Sequence, residues 1–162
     1  MFRRALLLSL LLAAPAFAQD ASILNPSGLP IPRFVTLKSD EVNVRVGPGE
    51  RYPIRWVYHR AHLPVQVIEE FAHWRKIKDY EGSVGWVQQT MISGERDILI
   101  MDKPQNLYAE AEVTSAPIIR AAPMVTAKLL ACRPDWCRVE LAGRKAWIRK
   151  ADIWGVTREE VF

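Results

Sequence analysis

The stretch VQVIEEFAHWRKIKDYEGSVGWV, residues 65–87, recurs in diverged form as AKLLACRPDWCRVELAGRKAWI, residues 127–148. Both stretches contain short runs in which apolar and polar residues alternate, and turn-forming residues separate the runs. Alternation with a period of two is typical of half-buried β-strands. The repeat therefore predicts two copies of one small, strand-rich unit, and such a duplication favours a binding scaffold over a single catalytic cleft.

Four tryptophans fix the alignment of the two copies. Trp74 matches Trp136 and Trp86 matches Trp147, at offsets of 62 and 61 residues. A unit of about 60 residues buries only a small core and is marginally stable alone, so two units gain stability by sharing an interface. The apolar run ILIM, residues 98–101, lies between the copies and is a candidate strand that serves both.

The N-terminus has the pattern of a secretory signal peptide. Arg3 and Arg4 precede an apolar run over residues 5–14, and Ala-Phe-Ala at residues 16–18 is a small-x-small cleavage site. The apolar run is well short of the ~20 residues that span a bilayer. We therefore expect residues 1–18 to be removed and the protein to be periplasmic or secreted, with no stable membrane insertion.

The charge of the mature chain is close to neutral. The full chain of 162 residues carries 22 basic and 18 acidic side chains. Two of the basic residues lie in the signal peptide, so the mature chain has 20 basic against 18 acidic residues, a net charge of +2. Because the basic and acidic residues are also interspersed and the protein is expected to be exported, nucleic-acid binding is set aside.

The composition divides the rest of the chain into three parts. Prolines and glycine mark residues 19–33 as a flexible linker. Short strand-like runs begin at Phe34 and continue to the end of the second copy. The predicted domains are residues 34–100 and residues 101–158.

The first copy carries four anchors in a fixed order. They are VNVRVGPG at residues 42–49, YPI at residues 52–54, Trp74, and GWV at residues 85–87. With this order and spacing the first copy resembles the bacterial SH3-like domain family. The resemblance implies an all-β fold of two tandem small SH3-like β-barrels after the cleaved signal peptide. His62 stands where the family usually has a glycine before a strand.

The second copy keeps the core positions but not the long loop of the first. Asn-Leu-Tyr-Ala at residues 106–109 replaces Val-Asn-Val-Arg, and no Gly-Pro-Gly turn follows. Trp86 and Trp147 are flanked by apolar residues and favour the core. For Trp74 and Trp136, each beside a tight turn, an exposed groove wall and a core position both stay open. If the long loop lines a ligand groove, we do not expect the two copies to bind alike.

The two cysteines of the chain, Cys132 and Cys137, flank a turn-like tetrapeptide in the second copy. Residues that face each other across a four-residue hairpin loop approach closely enough for a disulfide, and the bond persists in an exported protein. We therefore predict this disulfide. The aligned positions in the first copy are Glu70 and Arg75, which predicts a weaker cross-strand ion pair there.

Other chemistries fit the cysteines less well. A zinc site needs about four ligands, and the three histidines lie in the first copy, away from the cysteines. A redox dithiol usually has two residues between its cysteines rather than four. A catalytic thiol needs a histidine partner. We therefore predict no metal site, no cofactor and no catalytic residue.

The predicted ligand site lies on the first copy. Asn43 and Arg45 alternate with Val42, Val44 and Val46, which are expected to share a buried face, so both polar side chains must point outward. The Gly-Pro-Gly turn then places the loop beside aromatic residues. The complete predicted site is Asn43, Arg45, Tyr52, Trp56, Tyr58 and Trp74.

The sequence thus predicts an exported, non-enzymatic binding module with tandem bacterial SH3-like domains. The resemblance implies peptide ligands, so the expected partner is a peptidoglycan stem peptide of the cell wall or an envelope protein. The alternatives are an accessory subunit or a small cell-wall hydrolase. No glycine-rich phosphate loop occurs, no serine stands in a G-x-S-x-G motif, and adjacent acids such as Glu69 and Glu70 point to opposite faces of a strand.

Overall fold

A computed structural model describes residues 24–162, so the predicted signal peptide, residues 1–18, lies outside the described residues. The described chain is all-β and forms two sheets of seven strands each. The first sheet contains β1 (Arg33–Leu37), β2 (Val42–Arg45), β3 (Ile54–Tyr58), β4 (Pro64–Phe71), β5 (Trp74–Lys78), β6 (Val84–Gln88) and β7 (Ile92–Ser93). The second sheet contains β8 (Asp97–Ile100), β9 (Gln105–Tyr108), β10 (Pro117–Ala121), β11 (Thr126–Cys132), β12 (Trp136–Leu141), β13 (Arg144–Arg149) and β14 (Ile153–Trp154). A short 3-10 helix precedes the last strand of each sheet, η1 (Gln89–Met91) and η2 (Lys150–Asp152).

The two sheets have the same topology. The strand order is β3-β2-β6-β5-β4-β1-β7 in the first sheet and β10-β9-β13-β12-β11-β8-β14 in the second. The register agrees, because Trp86 lies opposite Arg45 in the first sheet and Trp147 lies opposite Tyr108 in the second. Tyr108 therefore occupies the position of Arg45, one residue earlier than the alignment of residues 106–109 with Val-Asn-Val-Arg predicts. These findings confirm the predicted all-β fold of two tandem barrels. The predicted division after residue 100 assigns β8 to the first domain, whereas its hydrogen bonds join it to β11 and β14.

Each barrel has its own core, and β8 contributes to both. Ile98 and Ile100 are fully buried in the core of the second barrel, while Leu99 is fully buried in the core of the first. This division follows from the strand itself, since successive residues point to opposite sides of a sheet. The candidate strand between the two copies therefore serves both barrels, as its apolar run predicted.

Residues at the end of β14 complete the junction between the barrels. Trp154 packs against the core of the first barrel, and its ring lies edge-on to Phe34 with centroids 5.0 Å apart. Its indole N–H donates to the carbonyl of Pro64 at 3.0 Å. Gly155 follows with φ +118°, and a Cβ there would lie 2.6 Å from the carbonyl oxygen of Asp97. This close approach of two backbone segments requires glycine at position 155.

Two different links hold the equivalent hairpins β4–β5 and β11–β12 near their turns. Cys132 lies opposite Cys137 and the two form a disulfide, which confirms the prediction. At the equivalent positions Glu70 lies opposite Arg75, with Arg75 Nε 3.2 Å from Glu70 Oε1. The expected ion pair is therefore present. It is buried rather than exposed, because the Glu70 side chain has 0% of its area exposed.

The described end of the predicted linker contacts the first barrel. Ser27 donates to the Glu70 carboxylate through its backbone N–H at 3.0 Å and through its hydroxyl at 2.7 Å. Arg33 begins β1, and its Nη2 lies 2.6 Å from Glu70 Oε1.

Among residues 24–162 no helix is long and apolar enough to cross a membrane.

The structure also tests what the sequence predicts at Val46 and at His62. Val46 does not share the buried face of Val42 and Val44. It is 52% exposed, because β2 ends at Arg45 and the chain enters the loop before the alternation reaches Val46. His62 adopts φ +62°, the left-handed conformation that favours glycine, so the turn keeps a glycine-like geometry with another residue.

Candidate functional site

The predicted site residues of the first barrel fall on two faces of its sheet. Asn43, Arg45 and Trp74 lie on the outer face, away from the core. Trp56 and Tyr58 pack against the core from the inner face. The predicted residues therefore do not form one continuous surface, and their role in ligand binding stays a prediction.

Arg45 and Tyr52 shape the loop between β2 and β3. Arg45 Nη1 donates to the backbone carbonyl of Glu50 at 3.1 Å and to that of Tyr52 at 2.8 Å. The Tyr52 ring lies over Gly47, where an added Cβ would come within 2.6 Å of a ring atom. Arg45 therefore has hydrogen-bond partners within its own loop, and Gly47 is required for the tyrosine ring to pack there.

Trp56 and Tyr58 brace the first barrel. Their rings form an edge-to-face pair with centroids 6.0 Å apart, and the Tyr58 hydroxyl donates to Asp79 Oδ2 at 2.6 Å. Burial raises the pKa of Tyr58, and the hydrogen bond to the Asp79 carboxylate raises it further, so the hydroxyl remains a donor. Asp79 Oδ1 accepts the backbone N–H groups of Glu81 and Ser83, which ties this pair to the turn between β5 and β6.

The second barrel carries a groove of about 770 Å³. Four segments line it: residues 111–113 of the β9–β10 loop, residues 134–136 at the β11–β12 turn, residues 149–151 at the end of β13, and residues 156–158 after β14. The volume lies in the range of ~300–1,000 Å³ that is usual for ligand sites. The groove is therefore large enough to hold part of an extended chain.

Trp136 lines this groove and is positioned by two neighbours. Its ring lies edge-on to Tyr108 with centroids 5.8 Å apart, and the Arg149 guanidinium lies 5.8 Å from the ring centre. Trp136 is also opposite Arg149 in the register of β12 and β13, so strand pairing sets the cation beside the indole. Of the two roles left open for Trp136, lining a groove is the one that the structure shows.

Lys150 supports the groove wall that follows β14. Its side chain is buried, and Nζ donates to the backbone carbonyl of Arg158 at 3.1 Å and to that of Glu160. Arg96 fixes the same segment, with Nη1 2.8 Å from Glu160 Oε1. Burial acts to raise the pKa of Glu160, but hydrogen bonds from Arg96 and the Thr157 N–H outweigh it and hold the pKa below its ordinary value. The wall is thus fastened by an ionised carboxylate.

A smaller cavity of about 250 Å³ adjoins the groove, since both are lined by Val113 and Arg149. Its remaining lining is polar and includes Asn106, Tyr108 and Asp152. The two cavities together extend the depression from the β11–β12 turn towards the start of β9. An elongated depression fits a ligand that lies across the barrel.

The side chains at this site fit binding. The groove is lined by Trp136, by the basic residues Arg149, Lys150 and Arg158, and by the acidic residues Glu112 and Asp135. An indole and guanidinium groups suit stacking and charge-assisted hydrogen bonds to a carboxylate. Both cysteines are joined in the disulfide. Within residues 24–162 no group of three or more histidine, cysteine or acidic side chains is arranged to hold a metal ion.

The sequence pattern favours the first barrel for the ligand site and does not reveal this groove. The available signal is Trp136 beside a hairpin turn with Arg149 at the end of the following strand. That pattern predicts two of the residues that line the groove. The wall at residues 156–158 has no marker in the sequence, because its path depends on contacts with the distant Arg96.

Comparison with known proteins gives a family for both copies. A sequence model described as the bacterial SH3 domain matches residues 38–94 and 101–155. No curated protein matches the chain. Among solved structures, the chain is similar to an NlpC/P60 family protein from Bacillus cereus, at 15% identity and a TM-score of 0.34, over 75% of this chain and 55% of that chain.

Two further solved structures are similar to this chain. NlpC1 from Trichomonas vaginalis is 10% identical with a TM-score of 0.36, over 86% of this chain and 51% of that chain. NlpC2 from the same organism is 10% identical with a TM-score of 0.36, over 78% of this chain and 49% of that chain. The chain thus covers about half the length of the structures that it matches.

Proposed function

We propose that this chain, which belongs to the bacterial SH3 domain family, is an exported, non-enzymatic binding module. In this proposal the second barrel holds an extended peptide. The observation that carries the proposal is the groove of about 770 Å³ lined by Trp136 and Arg149. The proposed ligand is a peptidoglycan stem peptide or an extended segment of an envelope protein.

The basic side chains of the groove, three against the acidic Glu112 and Asp135, support a peptide that carries a free carboxylate. Arg149 is exposed and its guanidinium lies beside the Trp136 ring, so it can form two parallel hydrogen bonds to a carboxylate. Lys150 lines the same groove, but its Nζ is engaged by backbone carbonyls. Arg149 and the exposed Arg158 are therefore the cations of the groove that can reach a ligand. We expect Arg149 to contact it because Arg149 lies beside Trp136, the surface on which the peptide lies.

The groove is tested by replacing Trp136 and its equivalent in the first barrel. Binding of purified soluble stem-peptide fragments of peptidoglycan is measured by titration calorimetry, beside a pull-down from envelope extract. We expect Trp136→Ala and Arg149→Ala to weaken peptide binding by about 1–3 kcal/mol each. The matched controls Trp74→Ala and Gln88→Ala change the equivalent positions and should leave the affinity unchanged.

Other results would move or remove the site. Loss of binding in Arg45→Ala or Trp56→Ala, with Trp136→Ala unaffected, would return the site to the first barrel, as the sequence alone predicts. If the unmodified protein captures neither a stem peptide nor an envelope protein, the proposed function is wrong.

Export is tested separately from binding. We expect the mature protein in the periplasm or the medium to begin at Gln19, since residues 16–18 form the cleavage site. N-terminal sequencing of protein from fractionated cells measures this directly. Recovery of the protein only from the cytoplasm with its first 18 residues intact would contradict export.

A further inference from the structure

The outer face of the second sheet carries a group of basic side chains. Lys128, Arg138, Lys145 and Arg149 lie on β11, β12 and β13, at exposed positions that alternate with buried residues. Arg133 joins them from the adjoining turn, because its guanidinium lies 4.5 Å from the centre of the Trp147 ring. We call these five basic residues, with the sheet surface between them, the basic face.

The first barrel does not have this concentration of charge at the same place. The identical topology and register define the equivalent positions. Only one of the four strand positions is basic there, and that residue, Lys76, is ion-paired with Glu69 at 2.9 Å. A second lysine on this face, Lys78, lies at the position of Glu140. The residue of the second barrel that is equivalent to Glu69 is Ala131. The equivalents of the four strand residues are Gln66, Lys76, Val84 and Gln88.

The charge difference extends to the two barrels as wholes. Residues 101–158 contain 10 basic and 6 acidic side chains, a net charge of +4, whereas residues 34–100 contain 9 of each. On the basic face the acidic side chain is Glu140, which lies between Lys128 and Lys145 in the register. Within residues 24–162, none of the five basic side chains forms an ion pair within 4.0 Å. Their charge is therefore available to a ligand.

Two indole rings hold part of this charge in place. Trp147 is only 7% exposed and lies under Arg133, and Trp136 lies beside Arg149. A guanidinium stacked on an aromatic ring loses little freedom when its N–H groups then bind an oxyanion. The tryptophans thus support the arginines, and the arginines present their donors to solvent.

The spacing of the charges fits a linear ligand. Lys145 and Arg149 are four residues apart on one strand, which corresponds to about 13 Å. Arg138 lies on the neighbouring strand, opposite the residue midway between them, at a strand spacing of about 4.8 Å. Cations spread in this way match a polymer with oxyanions at intervals better than one small anion.

We propose that the basic face binds a linear anionic polysaccharide, a polymer with recurring carboxylate or phosphate groups. The contact is made by charge over the sheet surface, and it borders the peptide groove at Arg149 and at Trp136, which lies beside Arg149. A polysaccharide is favoured over nucleic acid because the leader sequence predicts export. The module would thereby hold an anionic envelope polymer with one surface and a peptide with the other.

The test uses polygalacturonate and heparin as the anionic polysaccharides and dextran as the neutral one. Binding is measured at low and at physiological salt with the full mature chain. We expect the unmodified protein to bind both anionic polymers, not dextran, and to bind more weakly as salt screens the charges. The double variant Arg138→Glu/Lys145→Glu should lose about tenfold or more in affinity.

Matched variants distinguish binding by the basic face from an effect of net charge and from binding in the groove. Lys76→Glu/Lys78→Glu makes the same change in net charge on the equivalent face of the first barrel, and we expect its affinity to fall less than about twofold. Trp136→Ala should lower the affinity for the peptide but weaken polysaccharide binding less than Arg138→Glu/Lys145→Glu does, because Trp136 supports one of the five basic residues, Arg149. If the glutamate variant fails to fold, Arg138→Gln/Lys145→Gln replaces it, and unchanged binding in that variant would overturn the proposal.

Several outcomes would refute the basic face as a polysaccharide site. Equal losses from the two glutamate double variants would show an effect of net charge alone. Equal binding of dextran would remove the role of the anions. Tighter binding of a single-stranded oligonucleotide or of anionic lipid vesicles than of either polysaccharide would assign the surface to another class of partner.

Discussion

Glu70 has partners from widely separated parts of the first barrel. Its carboxylate accepts from Ser27 and Arg33, 43 and 37 residues away, and lies beside Arg75. Burial acts to raise the pKa of Glu70, but the hydrogen bonds from Ser27 and Arg33 and the charge of Arg75 outweigh it and hold the pKa below its ordinary value. The carboxylate is therefore ionised in the folded protein, and it anchors the segment that precedes β1.

A lowered pKa makes the contribution of Glu70 to stability depend on pH. The folded-state pKa lies below the ordinary value of 4.5, so the stabilisation is complete above 4.5 and is lost as the pH falls through the folded-state value. We expect Glu70→Gln to lower the free energy of unfolding by about 3 kcal/mol near neutral pH, because Arg75 and Arg33 lose a buried charge partner. The difference from the unmodified protein should shrink in acid.

Urea unfolding across the acidic range measures this dependence. Glu69→Gln is the matched control, because Glu69 is the neighbouring glutamate and is 52% exposed. That change should have little effect at any pH. Parallel pH profiles for the unmodified protein and Glu70→Gln would contradict the anchoring role.

At the scale of elements, the equivalent hairpins β4–β5 and β11–β12 share their irregularities as well as their pairing. The register shifts between Val67 and Glu69 in one hairpin and between Leu129 and Ala131 in the other. The sequence alignment was sufficient to pair Glu70 with Arg75 and the two cysteines with each other. It could not show that the ion pair is buried, because the other partners of Glu70 are Ser27, before β1, and Arg33, at the start of β1.

The disulfide is expected to stabilise the β11–β12 hairpin beside the groove. Closing so short a loop contributes about 2 kcal/mol by reducing the freedom of the unfolded chain. The variant Cys132→Ser/Cys137→Ser should therefore have a free energy of unfolding lower by about 2 kcal/mol, and it should unfold at a lower denaturant concentration. Thiol titration of the unreduced, denatured protein should find no free thiol, and two free thiols would show that the bond is not formed. Reductant should not change the stability of the serine variant.

The groove of the second barrel can be predicted from the sequence only in part. Strand pairing predicts that Trp136 and Arg149 are neighbours, since both follow from aligned hairpins. The β9–β10 loop at residues 111–113 lacks the Gly-Pro-Gly string, and its conformation is not encoded by a recognisable turn motif. The wall at residues 156–158 depends on Lys150 and on contacts across 59 to 64 residues. The sequence therefore predicts the strands that support the site but not the loops that enclose it.

At the scale of the whole molecule, residues of the second barrel contribute to the core of the first. Leu99 and Trp154 belong to strands of the second sheet but pack in or against the core of the first. The backbone N–H of Asp97 donates to the hydroxyl of Thr36 in β1 at 3.1 Å, and Arg60 Nη2 donates to the carbonyl of Met124 at 2.6 Å. Loss of either barrel would expose buried surface of the other, so we expect them to unfold together.

Gly155 provides a direct test of this coupling. Gly155→Ala places a Cβ against the carbonyl of Asp97 at a φ of +118°, and we expect it to lower the free energy of unfolding by about 2 kcal/mol or more. Because the strained contact lies at the junction, protection from amide exchange should fall equally for Val44 in the first barrel and Val139 in the second, within one cooperative transition. Gly94→Ala is the matched control, since an added Cβ there meets nothing within 4 Å. Loss of protection in only one barrel, or two separate transitions, would show that the tandem units fold independently despite the shared strand.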